Sequence, residues 1–231
     1  MKVGADGVTL GAWVDVCGTV KILDIGTGTG LIALMLAQRS VAEITAVDVE
    51  NDCVLQAKEN IEKSPFCNKI NVLKSSIQNF SKISVEKFDL IVCNPPYFVN
   101  SLKSPSDART TARHNDSLPF EELIESVHKL LTENGRFCAI LPVVEGNSFI
   151  DLSEKKGLYC TKKTTVFPNS EKPAKRLLLE FRKEKCILEE SNLTIEAERH
   201  VYTTQYSELV KDFYLKLREF RVEHKLHSYK R

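Results

Sequence analysis

Val20-Lys21-Ile22-Leu23-Asp24-Ile25-Gly26-Thr27-Gly28-Thr29-Gly30-Leu31-Ile32-Ala33-Leu34 is the stretch that decides the fold. An apolar run meets glycines at three alternate positions and passes directly into apolar, helix-forming residues. Residues 20–25 read as a strand, and residues 31–38, apolar on every side, as a buried helix. Glycine at such a turn lets the backbone bend sharply and approach a ligand closely. Strand, glycine turn and helix form the first unit of a nucleotide-binding α/β sheet. The spacing here is G-x-G-x-G, whereas a pyrophosphate suits G-x-G-x-x-G. Asp24, just ahead of the loop, repels phosphate and attracts a cationic group.

The pattern continues outward from this unit. Residues 44–49 read as a second strand, with Asp48 eighteen residues after Gly30. A carboxylate at that strand end can accept hydrogen bonds from both hydroxyls of a ribose, so the ligand carries an adenosine-like group. Residues 51–63 read as a helix capped by Asn51 or Asp52. Residues 70–73, 88–93 and 136–141 are further strands, the last opened by an Asn134-Gly135 turn. Residues 118–131 have helical spacing, with Leu123, Val127, Leu130 and Leu131 on one face. Strand–helix alternation with continuously apolar strands predicts a doubly wound, mainly parallel sheet. After residue 150 the rhythm changes. Residues 158–167 and 176–182 read as two strands without a full helix between them, an antiparallel pair at the sheet edge. Residues 206–217 read as a final amphipathic helix. Residues 98–116 read as a long polar loop, of the kind that is usually functional or mobile.

The chain of 231 residues, 42% hydrophobic and 27% charged, has the composition of one globular domain rather than a disordered protein. We expect one domain over 1–231, with 1–19 an N-terminal segment, 20–185 the core and 186–231 a C-terminal extension. No apolar run reaches the ~18 residues of a membrane span. The start lacks the features of a secretory signal. The seven cysteines form no C-x-x-C and are odd in number, which reads as reduced thiols in the cytoplasm and not as a zinc site. No metal is expected. The net charge of +1 hides an asymmetry: residues 1–150 carry 14 Lys/Arg and 18 Asp/Glu, residues 151–231 carry 18 and 13. Residues 155–185 alone hold ten Lys/Arg against three Glu, which suits contact with a polyanion.

Asn94-Pro95-Pro96-Tyr97 follows the fourth strand, at the carboxyl edge where such sheets bind ligands. The residue types answer one chemical problem. An exocyclic amino group on a base or amide is a weak nucleophile because its lone pair is delocalised. Two acceptors on its two hydrogens draw it toward tetrahedral geometry and free the lone pair. The Asn94 side-chain oxygen and the Pro95 carbonyl are the expected acceptors, held in place by two prolines. Tyr97 offers a ring on which a planar group can stack. With Asp24 and Asp48, this points to methyl transfer from S-adenosylmethionine. Cys93 beside Asn94 reads as a small apolar filler, not a nucleophile.

In this order these residues resemble the class I S-adenosylmethionine-dependent methyltransferases that modify amino nitrogens. The resemblance implies a Rossmann-like, seven-stranded, mostly parallel sheet with an antiparallel edge hairpin. Lys2-Val3-Gly4-Ala5-Asp6-Gly7-Val8-Thr9-Leu10-Gly11-Ala12-Trp13, Ala112-Arg113-His114, Lys172-Pro173-Ala174-Lys175-Arg176, Tyr202-Thr203 and Asp212-Phe213-Tyr214-Leu215 are similar to the bacterial tRNA methyltransferases acting on adenine 37 of valine tRNA 1. Ser76 stands where many such enzymes carry Asp near the cofactor's adenine.

The expected assignments follow. Asn94, Pro95 and Tyr97 are catalytic. Asp24, Gly26, Thr27, Gly28, Gly30, Asp48, Ser76 and Asn94 hold S-adenosylmethionine. Pro96, Arg109, Arg113, His114, Lys175 and Arg176 hold tRNA, with phosphates gripped beside a flipped base. Lys162, Lys163 and Lys172 extend that basic track. Trp13 is core or interface. The enzyme is expected to be a cytoplasmic monomer. Three alternatives share parts of this pattern: methylation of a release-factor glutamine amide, methylation of a guanine amino group in rRNA, and a degenerate fold that only binds RNA.

Overall fold

The structure, a computed structural model, describes residues 4–95 and 119–214. α1 (Ala5–Trp13) precedes β1 (Lys21–Ile25), which leads through the glycine turn into α2 (Leu31–Arg39). Then come β2 (Glu43–Asp48), α3 (Asn51–Glu62), β3 (Ile70–Lys74), α4 (Ile77–Ile83) and β4 (Phe88–Cys93). The next elements are α5 (Phe120–Leu130), β5 (Leu131–Pro142), α6 (Val143–Lys155), β6 (Tyr159–Asn169) and β7 (Arg176–Arg182). The described chain ends with β8 (Glu189–Glu198), β9 (Val201–Tyr202), α7 (Thr204–Val210) and a 3-10 turn, Lys211–Phe213.

Side chains alternate across the sheet and build two cores. Ile22, Ile44, Leu90 and Val92 face one side, under α1, α2, α3 and α7. Leu23, Ile25, Val47 and Ile91 face the other, under α4, α5 and α6. Helices on both faces explain why β1 and β4 are apolar at consecutive positions. Burying each of Ile22, Leu23, Leu90 and Ile91 contributes about 2 kcal/mol. Phe120, Phe137, Phe149 and Phe181 interlock on the second face, with ring centroids 5.0–6.0 Å apart.

The strand order is β3-β2-β1-β4-β5-β7-β6-β8-β9. It reverses between β1 and β4, where Ile25 pairs with Val47 on one side and Cys93 on the other. The glycine loop after β1 and Asn94 after β4 therefore leave from adjacent strand ends. This is the switch point at which open α/β sheets bind ligands.

Several expectations need correction. The sheet has nine strands among the described residues, not seven. The β6–β7 hairpin lies inside the sheet, because β8 pairs with β6 in parallel, Lys162 opposite Glu189 through Asn169 opposite Glu196. β8 escaped the sequence reading because Leu193 is its one fully buried residue. Its ladder is supported by polar cross-strand contacts, Lys163 with Glu190 and Thr164 with Ser191. β5 begins at Leu131, with a register shift that places Leu131 opposite Phe88 and Arg136 opposite Leu90. Asn51 and Asp52 are not the cap of α3; the cap position is Glu50, whose N–H donates to Asp48 Oδ1 at 2.9 Å. The last helix is the short α7, and residues 215–217 lie outside the described residues.

α1, α4 and α6 were not anticipated. Every residue of α1 from Gly7 to Ala12 is buried, so its sequence shows no polar face to mark a helix. A Cβ on Gly11 would stand 2.9 Å from Met35 Sδ, so glycine there lets α1 lie directly on α2. Arg39 of α2 donates to the carbonyls of Gly11 and Val14 at 2.7 and 2.9 Å, which closes the end of α1. Trp13 Nε1 donates to Thr164 Oγ1 at 3.0 Å, and the Thr9 hydroxyl meets that of the buried Tyr206 at 3.3 Å. α7 and β6 thus hold α1 from behind.

Candidate active site

The glycine loop takes the shape its residues allow. Gly26, Gly28 and Gly30 have φ of 68, 57 and 80°, a region that L side chains enter at a cost of roughly 1–2 kcal/mol. Gly26 and Thr27 N–H both donate to the Val47 carbonyl, at 2.9 and 3.1 Å, which ties the loop to the end of β2. Gly26 is exposed, and a Cβ there would meet nothing within 4 Å. Gly30 is the opposite case: a Cβ there would stand 3.4 Å from Ala57 Cβ, at the contact between α2 and α3.

Asp24 lies wholly buried beneath this loop. Its Oδ2 accepts from Thr27 Oγ1 at 2.6 Å, while Oδ1 has no hydrogen-bond partner among the described residues. Burial pushes its carboxyl up from 3.8 to about 6; the Thr27 hydroxyl and the Ala33 N–H oppose that rise, and the charge of Asp48 adds to it. An orphaned buried carboxylate oxygen is costly unless something donates to it. A cationic amino group fits that need. Cys93 is also buried, and its thiol is pushed far up the scale by burial and by the Asp24 charge, which makes it inert.

Asp48 ends β2 with a carboxylate already half engaged. Oδ2 accepts from Gly28 N–H at 2.8 Å and Oδ1 from Glu50 N–H at 2.9 Å. The residue thus shapes the glycine loop as well as facing the site, which the spacing argument did not foresee. Each oxygen keeps a further lone pair for a hydroxyl. The Ser75 N–H donates to the Asp48 carbonyl at 2.9 Å, which brings the β3–α4 turn alongside. Ser76 caps α4, accepting from Asn79 N–H at 3.2 Å.

Asn94 is half-buried and Pro95 buried, directly after β4. A Cβ on Gly7 of α1 would stand 3.4 Å from Leu31 and 3.9 Å from Asn94 Nδ2, so α1 passes close to the Asn94 amide. The first turn of α1 is therefore the wall behind Asn94. Within the family-like segment, α1 (Ala5–Trp13) contributes this wall, an element that no periodicity in it reveals.

Tyr97, Pro96, Arg109, Arg113 and His114 lie outside the described residues. Lys172 and Lys175 are exposed at the carboxyl edge, between the end of β6 and the start of β7. Arg176 opens β7 opposite Pro142 of β5, on the same edge. It is not a bare surface charge: its Nε donates to Asp6 Oδ2 at 2.8 Å. Lys162 and Lys163 fall elsewhere. They sit three or four strand residues before Val166, the partner of Arg176, which is roughly 10–13 Å down the sheet. Lys162 Nζ stacks over the Trp13 ring at 5.0 Å, and Lys163 pairs with Glu190. The expected basic track is thus broken after Lys172, Lys175 and Arg176. Trp13 packs against the first core, as expected of a core or interface residue.

Comparison with known proteins agrees with this geometry. A methyltransferase domain family matches residues 18–201. A tRNA1(Val) (adenine(37)-N6)-methyltransferase of Trichodesmium erythraeum is 47% identical over 94% of this chain and 92% of its own length. Proteins of the same name from Parabacteroides distasonis and Bacteroides fragilis are 46% and 45% identical, each over 94% of this chain and 92% of their own. Among solved structures, a predicted O-methyltransferase of Agrobacterium tumefaciens superposes with a TM-score of 0.71 at 19% identity, covering 94% of this chain and all of its own. The glycopeptide N-methyltransferase MtfA in complex with S-adenosylmethionine gives 0.56 at 11% identity, over 78% of this chain and 96% of its own. At those identities the structures show the fold, a class I methyltransferase sheet. The sequence relatives extend further, and the chain belongs to the tRNA1(Val) (adenine(37)-N6)-methyltransferase family.

Proposed function

We propose that the protein transfers a methyl group from S-adenosylmethionine to the exocyclic amino nitrogen of adenine 37 in valine tRNA 1. The observation that carries this reading is that Asn94-Pro95 leaves the strand next to the one that ends in the glycine loop, at the same sheet edge as a buried carboxylate with one unpartnered oxygen. The residues present suit the cofactor. Asp24 Oδ1 takes its amino group, open space over Gly26 admits its backbone-hugging part, Asp48 takes the ribose hydroxyls, and Ser76 borders the adenine. Bound there, S-adenosylmethionine supplies an electrophilic methyl group on a sulfonium sulfur.

The chain's own residues then prepare the nucleophile. The Asn94 amide oxygen and the Pro95 carbonyl accept hydrogen bonds from the two N–H groups of the adenine amino group and draw its lone pair out of the ring. So prepared, the nitrogen would take the methyl group that bound S-adenosylmethionine supplies, and its extra proton would pass to water. No strong base is required, since an alkylated anilinium-like nitrogen is itself acidic. Asn94 and Pro95 are therefore pre-set acceptors rather than proton carriers, and their worth lies in costing no reorganisation. Pro96 and Tyr97, next in the sequence, are the residues we assign to the flipped base, with Tyr97 as its stacking partner. Arg109, Arg113, His114 and Lys175 serve the surrounding phosphates.

RNA is favoured over a release factor by the exposed Lys172 and Lys175 on the edge where the chemistry takes place. All seven cysteines are free thiols, which supports action in the reducing cytoplasm. We take the active unit to be a monomer. The test is labelled S-adenosylmethionine with purified protein and unmodified valine tRNA, the product nucleosides being identified by mass. N6-methyladenosine at position 37 is expected. Label on another nucleotide, on rRNA or on a release factor would replace the substrate, and binding of RNA with no transfer at all would leave only the degenerate-fold alternative.

A further inference from the structure

The Asp6–Arg176 pair joins residues 170 positions apart at the edge of the site. Asp6 lies in the first turn of α1, one residue before Gly7, whose position faces Asn94. Arg176 belongs to the carboxyl edge of the sheet through its pairing with Pro142. The two side chains are 30% and 29% exposed and meet at 2.8 Å. The first turn of α1 has no side-chain cap, since Gly4 occupies that position. The later turns are held separately, by Thr9 with Tyr206 and by Trp13 with Thr164.

We infer that Asp6 and Arg176 are a positioning pair: by fixing the first turn of α1 to the sheet edge, they set where the Asn94 amide stands for methyl transfer. Arg176 is then a brace for the acceptor site and not a ligand for tRNA phosphate. The inference rests on the acceptor role proposed for Asn94. A half-exposed ion pair contributes little to global stability. A misplacement of the reacting groups by about an ångström, in contrast, can cost up to a hundredfold in rate. The pair should therefore be visible in turnover and not in melting.

The test compares Asp6→Asn, Arg176→Gln and the exchanged pair Asp6→Arg with Arg176→Asp. Methylation of valine tRNA gives kcat and KM, and titration gives S-adenosylmethionine affinity. Trp13, the single tryptophan of the chain and a residue of α1, reports by its emission whether the helix stays seated. Both single variants should lose about tenfold in kcat, with KM for tRNA, cofactor affinity and Trp13 emission unchanged. The exchanged pair should recover roughly half of that loss or more, the coupling expected of direct partners. Unchanged kcat in either single variant overturns the inference. So does a raised KM with a flatter salt dependence in Arg176→Gln alone, which marks a phosphate ligand. Failure of the exchanged pair to recover, or shifted Trp13 emission in the single variants, overturns it as well. An error in the substrate assignment shows instead in the unaltered protein, which would leave valine tRNA unlabelled; the same variants are then compared on whichever substrate takes the label.

Discussion

Asp24→Asn separates what stabilises this protein from what makes it work. The Asp24 carboxyl is held at about 6, against an ordinary value of 3.8, because it is fully buried and faces the charge of Asp48. A difference of about two pKa units corresponds to about 3 kcal/mol between the two protonation states. The sign follows from linkage. The folded state binds this proton more tightly than the unfolded chain, so the contribution is fully present below about 3.8 and lost as pH rises through about 6. Above pH 7 the cofactor-free fold therefore carries the whole penalty of an ionised buried acid. Asparagine does not titrate. Urea unfolding of both proteins without cofactor should show the wild type losing roughly 2 kcal/mol relative to the variant between pH 4 and pH 7. Using the change in the difference removes any constant effect of the substitution on packing. The variant should also bind S-adenosylmethionine about tenfold to a hundredfold more weakly at pH 8, the worth of a hydrogen bond to a charged group. A stability difference that stays constant across this pH range refutes the account of Asp24, and unchanged cofactor affinity refutes its assignment to the amino group.

Three further substitutions probe the site and its support. Asn94→Ala should reduce turnover by at least about a hundredfold, as expected for loss of a pre-set acceptor, while calorimetric titration finds cofactor affinity nearly intact; a large loss of affinity would move Asn94 to the cofactor. Asp48→Ala removes the acceptor of two backbone N–H groups and should lower stability by about 2 kcal/mol as well as weaken the cofactor; a change in stability alone would leave Asp48 as a loop brace. Tyr206→Ala empties a buried ring site behind α1 and should cost about 3–5 kcal/mol, read as a lower melting temperature, whereas Tyr206→Phe removes only the hydroxyl that meets Thr9 and Tyr214 and should cost about 1–2 kcal/mol.

The core of this protein is legible in its sequence because its signals are local. Ile22-Leu23 and Leu90-Ile91-Val92-Cys93 are apolar at consecutive positions because helices cover both faces of those strands. The glycines announce backbone angles that other residues avoid, and the structure gives all three a positive φ. Asp24, Asp48 and Asn94 could be picked out because each sits at the end of a strand readable by itself, and parallel strand ends share one edge.

Other features have no local signature. β8 is mostly polar and exists because β6 offers it a free backbone ladder. α1 is buried all round, so the amphipathic period that marks a surface helix is missing from it. Lys162, Lys163 and Arg176 read alike as basic residues in one charged stretch. Tertiary structure alone gives them different partners: Trp13, Glu190 and Asp6. Residue types and strand ends were enough to lay out the chemistry offered at the sheet edge. Which partners its charged residues take follows only from folding, because those pairings join segments up to 170 residues apart.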